Sequence, residues 1–151
     1  LDLDFHKRRR DDPDYNQKNS TLVEFSRGSE HGGYSSAFPH FSDNLLSRSV
    51  VLYVNVPFEE SLRKNRLRFN PQRPDSILEH GLPDAKLERL YGQDDWQSFS
   101  RPDPRFLHVR DVSIPYAVFE NADDVTTGKL GLLSSRLEEC LQNLWQLKNE
   151  R

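Results

Sequence analysis

The chain has 151 residues, 30% charged and 34% hydrophobic, with a formal net charge of -3. That length supports one domain with a real core, and the composition is polar without being that of a disordered chain. The acidic balance gives no overall attraction for nucleic acid or a membrane surface, and no stretch approaches the ~20 apolar residues of a membrane span. A single cysteine, Cys140, excludes an internal disulfide and fits a reducing compartment. The expectation is a cytoplasmic protein. The sequence starts at Leu1 and holds no methionine, so residues 1–151 read as one domain, the later part of something longer.

Residues 1–5 (LDLDF) alternate apolar and acidic side chains, as a strand end does. Residues 6–10 (HKRRR), then Asp11, Asp12, Pro13 and Asp14, read as an exposed charged loop. Residues 21–25 (TLVEF) read as the next strand, with Glu24 at its end and glycines following at 28, 32 and 33. Open α/β sheets place ligands at such strand ends. Residues 28–35 (GSEHGGYS) fit the spacing G-x-x-x-x-G-K-[ST] except at Tyr34. The lysine of that motif reaches the β- and γ-phosphates, so without it the stretch reads as a flexible loop. Residues 36–49 predict a short helix ending near Arg48 and interrupted around Pro39.

Residues 50–56 (VVLYVNV) form a short apolar run stopped by Pro57, the pattern of a strand covered on both faces. Pro57 can open a helix, and Glu59 and Glu60 suit its positive end. Leu62 and Phe69 mark an apolar seam; Arg63 and Arg66 lie beside it, and Lys64 and Arg68 point away. Two arginines delivered by a strand and helix can hold phosphate. The same pattern also describes a solvated basic face. Residues 70–83 are a proline-rich loop, long enough to move. Residues 84–91 predict a helix ended by Gly92, and residues 94–104 carry no periodic signal. Residues 106–114 and, more clearly, 115–119 read as strands, the last ending in Glu120 and Asn121. Leu130, Leu133, Leu137, Cys140, Leu141, Leu144 and Lys148 keep a helical period, and Trp145, next to that face, reads as core or seam rather than a binding platform.

Alternating strands and helices predict an α/β fold with a mainly parallel sheet flanked by helices. Its ligand edge would carry Asp4, Glu24, Arg27, Asn55, Glu120 and Asn121. The five histidines show no ligand spacing, which argues against a zinc site.

Four segments in this order resemble the uridine kinase and phosphoribulokinase branch of the P-loop NTPases. Asp4-Phe5-His6 with Arg8 and Arg9 is similar to the D-x-F-[HY] segment of that group. Val23-Glu24 before Gly28 resembles its third strand, although Phe25, Ser26 and Arg27 intervene before the glycine. Residues 52–57 with Arg63, Arg66 and Arg68 resemble the strand and lid whose arginines reach over ATP, and residues 84–91 resemble the second half of that lid. Residues 117–121 and the last helix resemble the closing strand, with Asn121 beside the adenine. The resemblance implies a three-layer P-loop kinase architecture, a helical lid over residues 58–92, and a Walker A loop ahead of Leu1 by roughly 30 residues. Residues 75–82 match no substrate motif of the family.

The resemblance further implies an ATP-dependent phosphotransferase using Mg²⁺ on a small-molecule or nucleoside hydroxyl. Asp4 would be the base and Glu24 would hold Mg²⁺ or orient the acceptor. Arg63 and Arg66 would stabilise the transferred phosphoryl. His6, Arg8, Arg9 and Arg27 would bind the acceptor, and Asn121 the base. Each residue has a plain structural alternative: a strand-end aspartate, a Glu24–Arg27 pair, surface arginines. Two other functions stand beside transfer: a regulatory domain that binds nucleotide without transferring phosphate, and a module for anionic partners such as RNA, which the net charge disfavours. A homodimer is compatible with either.

Overall fold

The computed structural model describes residues 1–73, 75, 76 and 79–150, and of Asn16 the backbone alone. Its sheet has three strands in the order β1-β3-β2: β1 (Val51–Asn55), β2 (Phe106–Val109) and β3 (Val112–Glu120). β1 runs parallel to β3, from Val51 opposite Tyr116 to Asn55 opposite Glu120, and β2 runs antiparallel to it. The expected mainly parallel sheet of a P-loop kinase is therefore not the fold. Among the described residues one parallel pair exists, beside one hairpin.

The turn at Arg110 makes the difference. Arg110 takes φ 52, the left-handed region that non-glycine residues seldom enter. Its guanidinium donates to the Pro39 carbonyl at 2.6 Å, the Phe41 carbonyl at 2.7 Å and Asp43 at 2.5 Å. These bonds hold the chain in a tight reversal, so β3 returns antiparallel to β2.

The side chains of β3 alternate between two cores, as a central strand requires. Ile114 and Tyr116 pack with Tyr34, Phe38, Leu46 and Trp96. These come from α3 (Gly33–Ala37), the 3-10 turn Phe38–His40, α4 (Asp43–Leu46) and α7 (Trp96–Ser100). Ala117 and Phe119 pack on the other face with Val125, Cys140 and Leu144. The last two belong to α8 (Leu130–Asn149), where the expected leucine period lands on the sheet. A fully buried aliphatic side chain contributes about 1.5–3 kcal/mol, so Leu107, Ile114 and Leu144 are major anchors.

Two further helices match their sequence signals. Pro57 precedes α5 (Phe58–Arg68), and Gly92 follows α6 (Asp84–Tyr91). Asn65 ties the pair together: its amide donates to the Leu82 carbonyl at 2.7 Å and its oxygen accepts the Leu82 N–H at 2.9 Å. Residues 74, 77 and 78 of the intervening loop, which fall in the stretch compared with a lid, lie outside the described residues, as does Arg151.

Other expectations are corrected. Residues 1–5 are not a strand end; they enter α1 (Asp2–Asp11), which leads into a short turn of helix, α2 (Tyr15–Lys18). Asp2 and Asp4 in the first turn and Arg8, Arg9 and Arg10 in the last oppose the helix dipole. Five alternating residues were too few to tell strand from helix. Residues 21–25 form no strand: they lie exposed, with Leu22 97% accessible. Phe25 turns its ring onto Tyr34, Phe38 and Phe41 instead. The stretch 94–104 holds α7, whose Trp96 stacks on Tyr53 at 4.0 Å. Trp145 is 71% exposed, outside the core. Among the described residues no helix is long and apolar enough to cross a membrane.

Candidate functional site

The carboxyl ends of β1 and β3 lie side by side, and a parallel pair with its crossover directs ligands to that edge. The last residues of the two strands touch: the Asn55 amide donates to Glu120 at 2.7 Å. The Asn121 N–H donates to the Asn55 carbonyl at 2.9 Å, extending the ladder by one bond. β1 leads directly into α5, and β3 into the loop before α8. The site is made where this helix and this loop meet.

Asp124 of the loop is its centre. Its Oδ2 accepts from Arg63 Nη2 at 2.7 Å, and its Oδ1 lies 2.7 Å from Lys64 Nζ. Thr127 and Thr126 hydroxyls donate to the same Oδ1 at 2.9 and 3.2 Å. Lys64 also donates to Thr126 Oγ1 at 2.8 Å. Arg63 is forked onto Glu60, one turn earlier on α5, at 2.7 and 2.6 Å. Charge-assisted, bidentate bonds of this kind are the strong ones. Lys64 first, then the Thr127 and Thr126 hydroxyls, overcome partial desolvation and hold the Asp124 carboxyl down to about 2. The Arg63 bond likewise lowers Glu60, and Glu60 in turn raises Arg63.

The loop keeps its shape by other means. Asn121 is 2% exposed. Its Oδ1 accepts the Val125 N–H at 3.0 Å, and Val125 itself is fully buried. The Asn121 amide reaches Thr126 Oγ1 at 3.4 Å. The side chain of Asn121, expected beside the adenine, thus shapes the loop. Arg136 of α8 donates to the Glu120 carbonyl and grips Asp123 at 2.8 and 3.1 Å.

The expected site residues do not converge on one place. Arg63 is at this edge. Arg66 faces the other way along α5 and pairs with Asp84 of α6 at 2.6 Å. Asp4 lies on α1, paired with Arg8 at 2.9 Å, and Arg8 also donates to Tyr15 at 2.9 Å. His6 and Arg9 pack against Phe5. Glu24 and Arg27 lie in the exposed stretch before Gly28. Among the described residues no hydrogen bond or ion pair joins Asp4, His6, Arg8, Arg9, Glu24 or Arg27 to the Arg63 cluster, nor Glu24 to Arg27. Among the described residues no group of three His, Cys, Asp or Glu stands close enough to hold a metal, and Glu24 lies exposed.

The glycine-rich loop does surround an anion, but one of its own. Gly33 takes φ 68, and the N–H groups of Tyr34 and Ser35 donate to the Asp95 carboxylate at 2.6 and 3.0 Å. Ser35 Oγ donates to it at 2.5 Å. Burial opposes that carboxylate, yet the Ser35 and Tyr34 bonds outweigh it and lower its proton affinity. A Cβ at Gly33 would sit 2.2 Å from an Asp95 oxygen. This loop ties α3 to α7, and its Tyr34 and Ser35 donors are taken by Asp95.

Sequence reasoning missed Lys64, Asp124 and Thr126. Part of the signal was present: Glu60 stands three residues before Arg63 and four before Lys64, the spacing of helix ion pairs. The partner of that pair lies 61 residues away in the chain, which no local pattern reveals. Comparison with protein-family models, with curated proteins and with solved structures gave no match to this chain.

Proposed function

We propose that this chain carries the phosphate-binding edge of an ATP-dependent phosphotransferase. The observation that carries the reading is the meeting of Arg63 and Lys64 on one carboxylate, beside the carboxyl ends of a parallel strand pair. Phosphoryl transfer needs positioning and charge neutralisation above all. A guanidinium, an ammonium and two hydroxyls around one anionic group supply both. Arg63 is held in orientation by Glu60 and needs little reorganisation to meet a phosphate. Asn55 and Glu120 lie exposed at the same edge, and beyond their mutual bond a second amide hydrogen and carboxylate lone pairs are left for the rest of the nucleotide.

The test is calorimetric titration of the full chain with ATP. Arg63→Ala and Lys64→Ala are each expected to weaken binding about tenfold, the worth of one charge-assisted contact of ~1.4 kcal/mol. Unchanged affinity in both variants contradicts the reading.

A second reading is favoured by one observation: Asp4, the candidate base, sits on α1 with Arg8 as partner and not at this edge. On that reading the chain binds nucleotide and transfers nothing. Asp4→Asn separates the two. If Asp4 is the base, transfer of labelled γ-phosphate falls about 10²–10⁴-fold with ATP affinity intact. Equal transfer by both proteins removes Asp4 from the chemistry, and no transfer by either favours nucleotide binding alone.

A further inference from the structure

We propose that Asp124 is an internal ligand of this site, a carboxylate that a phosphate must displace to reach Arg63 and Lys64. The inference rests on the anion-binding reading above and adds that the site is closed by its own chain.

Three observations support it. The first is coordination. Asp124 receives a guanidinium at 2.7 Å, an ammonium at 2.7 Å and hydroxyls at 2.9 and 3.2 Å. A phosphate group calls for the same donor set: fork, point charge and hydroxyls. The second is backbone conformation. Asp124 takes φ 51, a left-handed conformation uncommon outside glycine that aspartate and asparagine adopt more readily than other residues. The buried Asn121 shapes the loop around it, and the Asp124 side chain is aimed at α5. The third is independence. Asn121, Arg136 and Lys129 hold the loop through Val125 and Asp123, and Arg63 remains forked on Glu60 without Asp124. The carboxylate can swing away while both its loop and its arginine stay in place.

Competition sets the ligand class. Glu60 stays on both cations, so the departure of Asp124 leaves one net positive charge, which draws a terminal phosphate of nearly two negative charges at neutral pH more strongly than a carboxylate of one. The displacing group is thus a phosphate monoester or polyphosphate end. A neutral sugar or a single carboxylic acid gains nothing by the exchange.

The experiment is titration of the full chain at low salt with inorganic tripolyphosphate. Three proteins are compared: wild type, Asp124→Asn and Asp123→Asn. Asparagine tolerates the left-handed backbone and keeps the side-chain shape while removing the charge. Asp123→Asn makes the same change of net charge on the neighbouring residue, which faces Arg136 instead. The expected result is about tenfold tighter binding in Asp124→Asn and little change in Asp123→Asn. Should Asp124→Asn fold poorly, Asp124→Gly takes its place, since glycine enters this conformation freely. Equal tightening in both variants reveals generic charge and overturns the inference. So does unchanged or weaker binding in Asp124→Asn; if wild type still binds and Arg63→Ala does not, the anion-binding reading survives that result. No binding by any of the proteins removes both.

Discussion

Two turns bound the central strand, and each holds a non-glycine residue in the left-handed region. Arg110 precedes β3 at φ 52, and Asp124 follows it at φ 51. At the first turn the side chain closes on backbone carbonyls of Pro39 and Phe41 and on Asp43. Its partners are parts of the fold, with no charge left over for a ligand. At the second turn the side chain closes on two cations from a helix, while Asn121 shapes the backbone. Strain of one kind thus serves two ends. Arg110 fixes the direction of β2, and Asp124 sits where ligands reach a parallel pair. Strained residues concentrate at functional sites, but strain alone does not mark one; the partners decide.

The largest effect is expected at the first turn. Arg110→Ala removes the bonds to both carbonyls and leaves the strained backbone, costing about 3 kcal/mol in chemical denaturation. Arg110→Gly loses the same bonds but relieves the backbone, so it is expected to be about 1 kcal/mol more stable than the alanine variant. Equal stability of the two would deny that strain is stored there. Next comes Asn121→Ala, which leaves the buried Val125 N–H without its acceptor and costs about 2 kcal/mol. A neutral result would mean that the Asp124 loop is shaped by something other than Asn121.

The smallest effect is a pH dependence. An aspartate in the unfolded chain titrates near 4, and Asp124 in the folded chain near 2. A depressed carboxyl stabilises the fold above the unfolded value, and that contribution is lost as pH falls from about 4 to about 2. Asp124→Asn is therefore expected to lose less stability than wild type across that window, followed by thermal melts at stepped pH. Parallel acid slopes in the two proteins would show that the ion pair does not form in solution.

Elements with their own punctuation were legible in the sequence. β1 stops at Asn55 just ahead of Pro57, α5 opens after that proline, α6 stops before Gly92, and α8 shows a long leucine period. The size and direction of the sheet were not legible. The reversal before β3 depends on an arginine in a conformation usually given to glycine or asparagine, so no turn signal stands at residue 110. Residues 1–5 and 21–25 alternate as strands do, but each run is only five residues long. α1 is decided by its charges and the Asp4–Arg8 pair, while Phe25 is drawn onto three aromatic rings. Of the candidate site, Arg63 was legible through the strand–proline–helix pattern. The sequence pattern turns Lys64 away from the seam, and that is the direction in which Asp124 lies.

The most direct test of the phosphate edge is an NMR titration of the labelled full chain with ATP, read residue by residue. Amide shifts concentrated in residues 60–66 and 121–127, with residues 108–113 unmoved, are the expected result. Shifts confined to the basic stretch at residues 6–10, or shifts at neither turn, would contradict the assignment of Arg63 and Lys64 to phosphate.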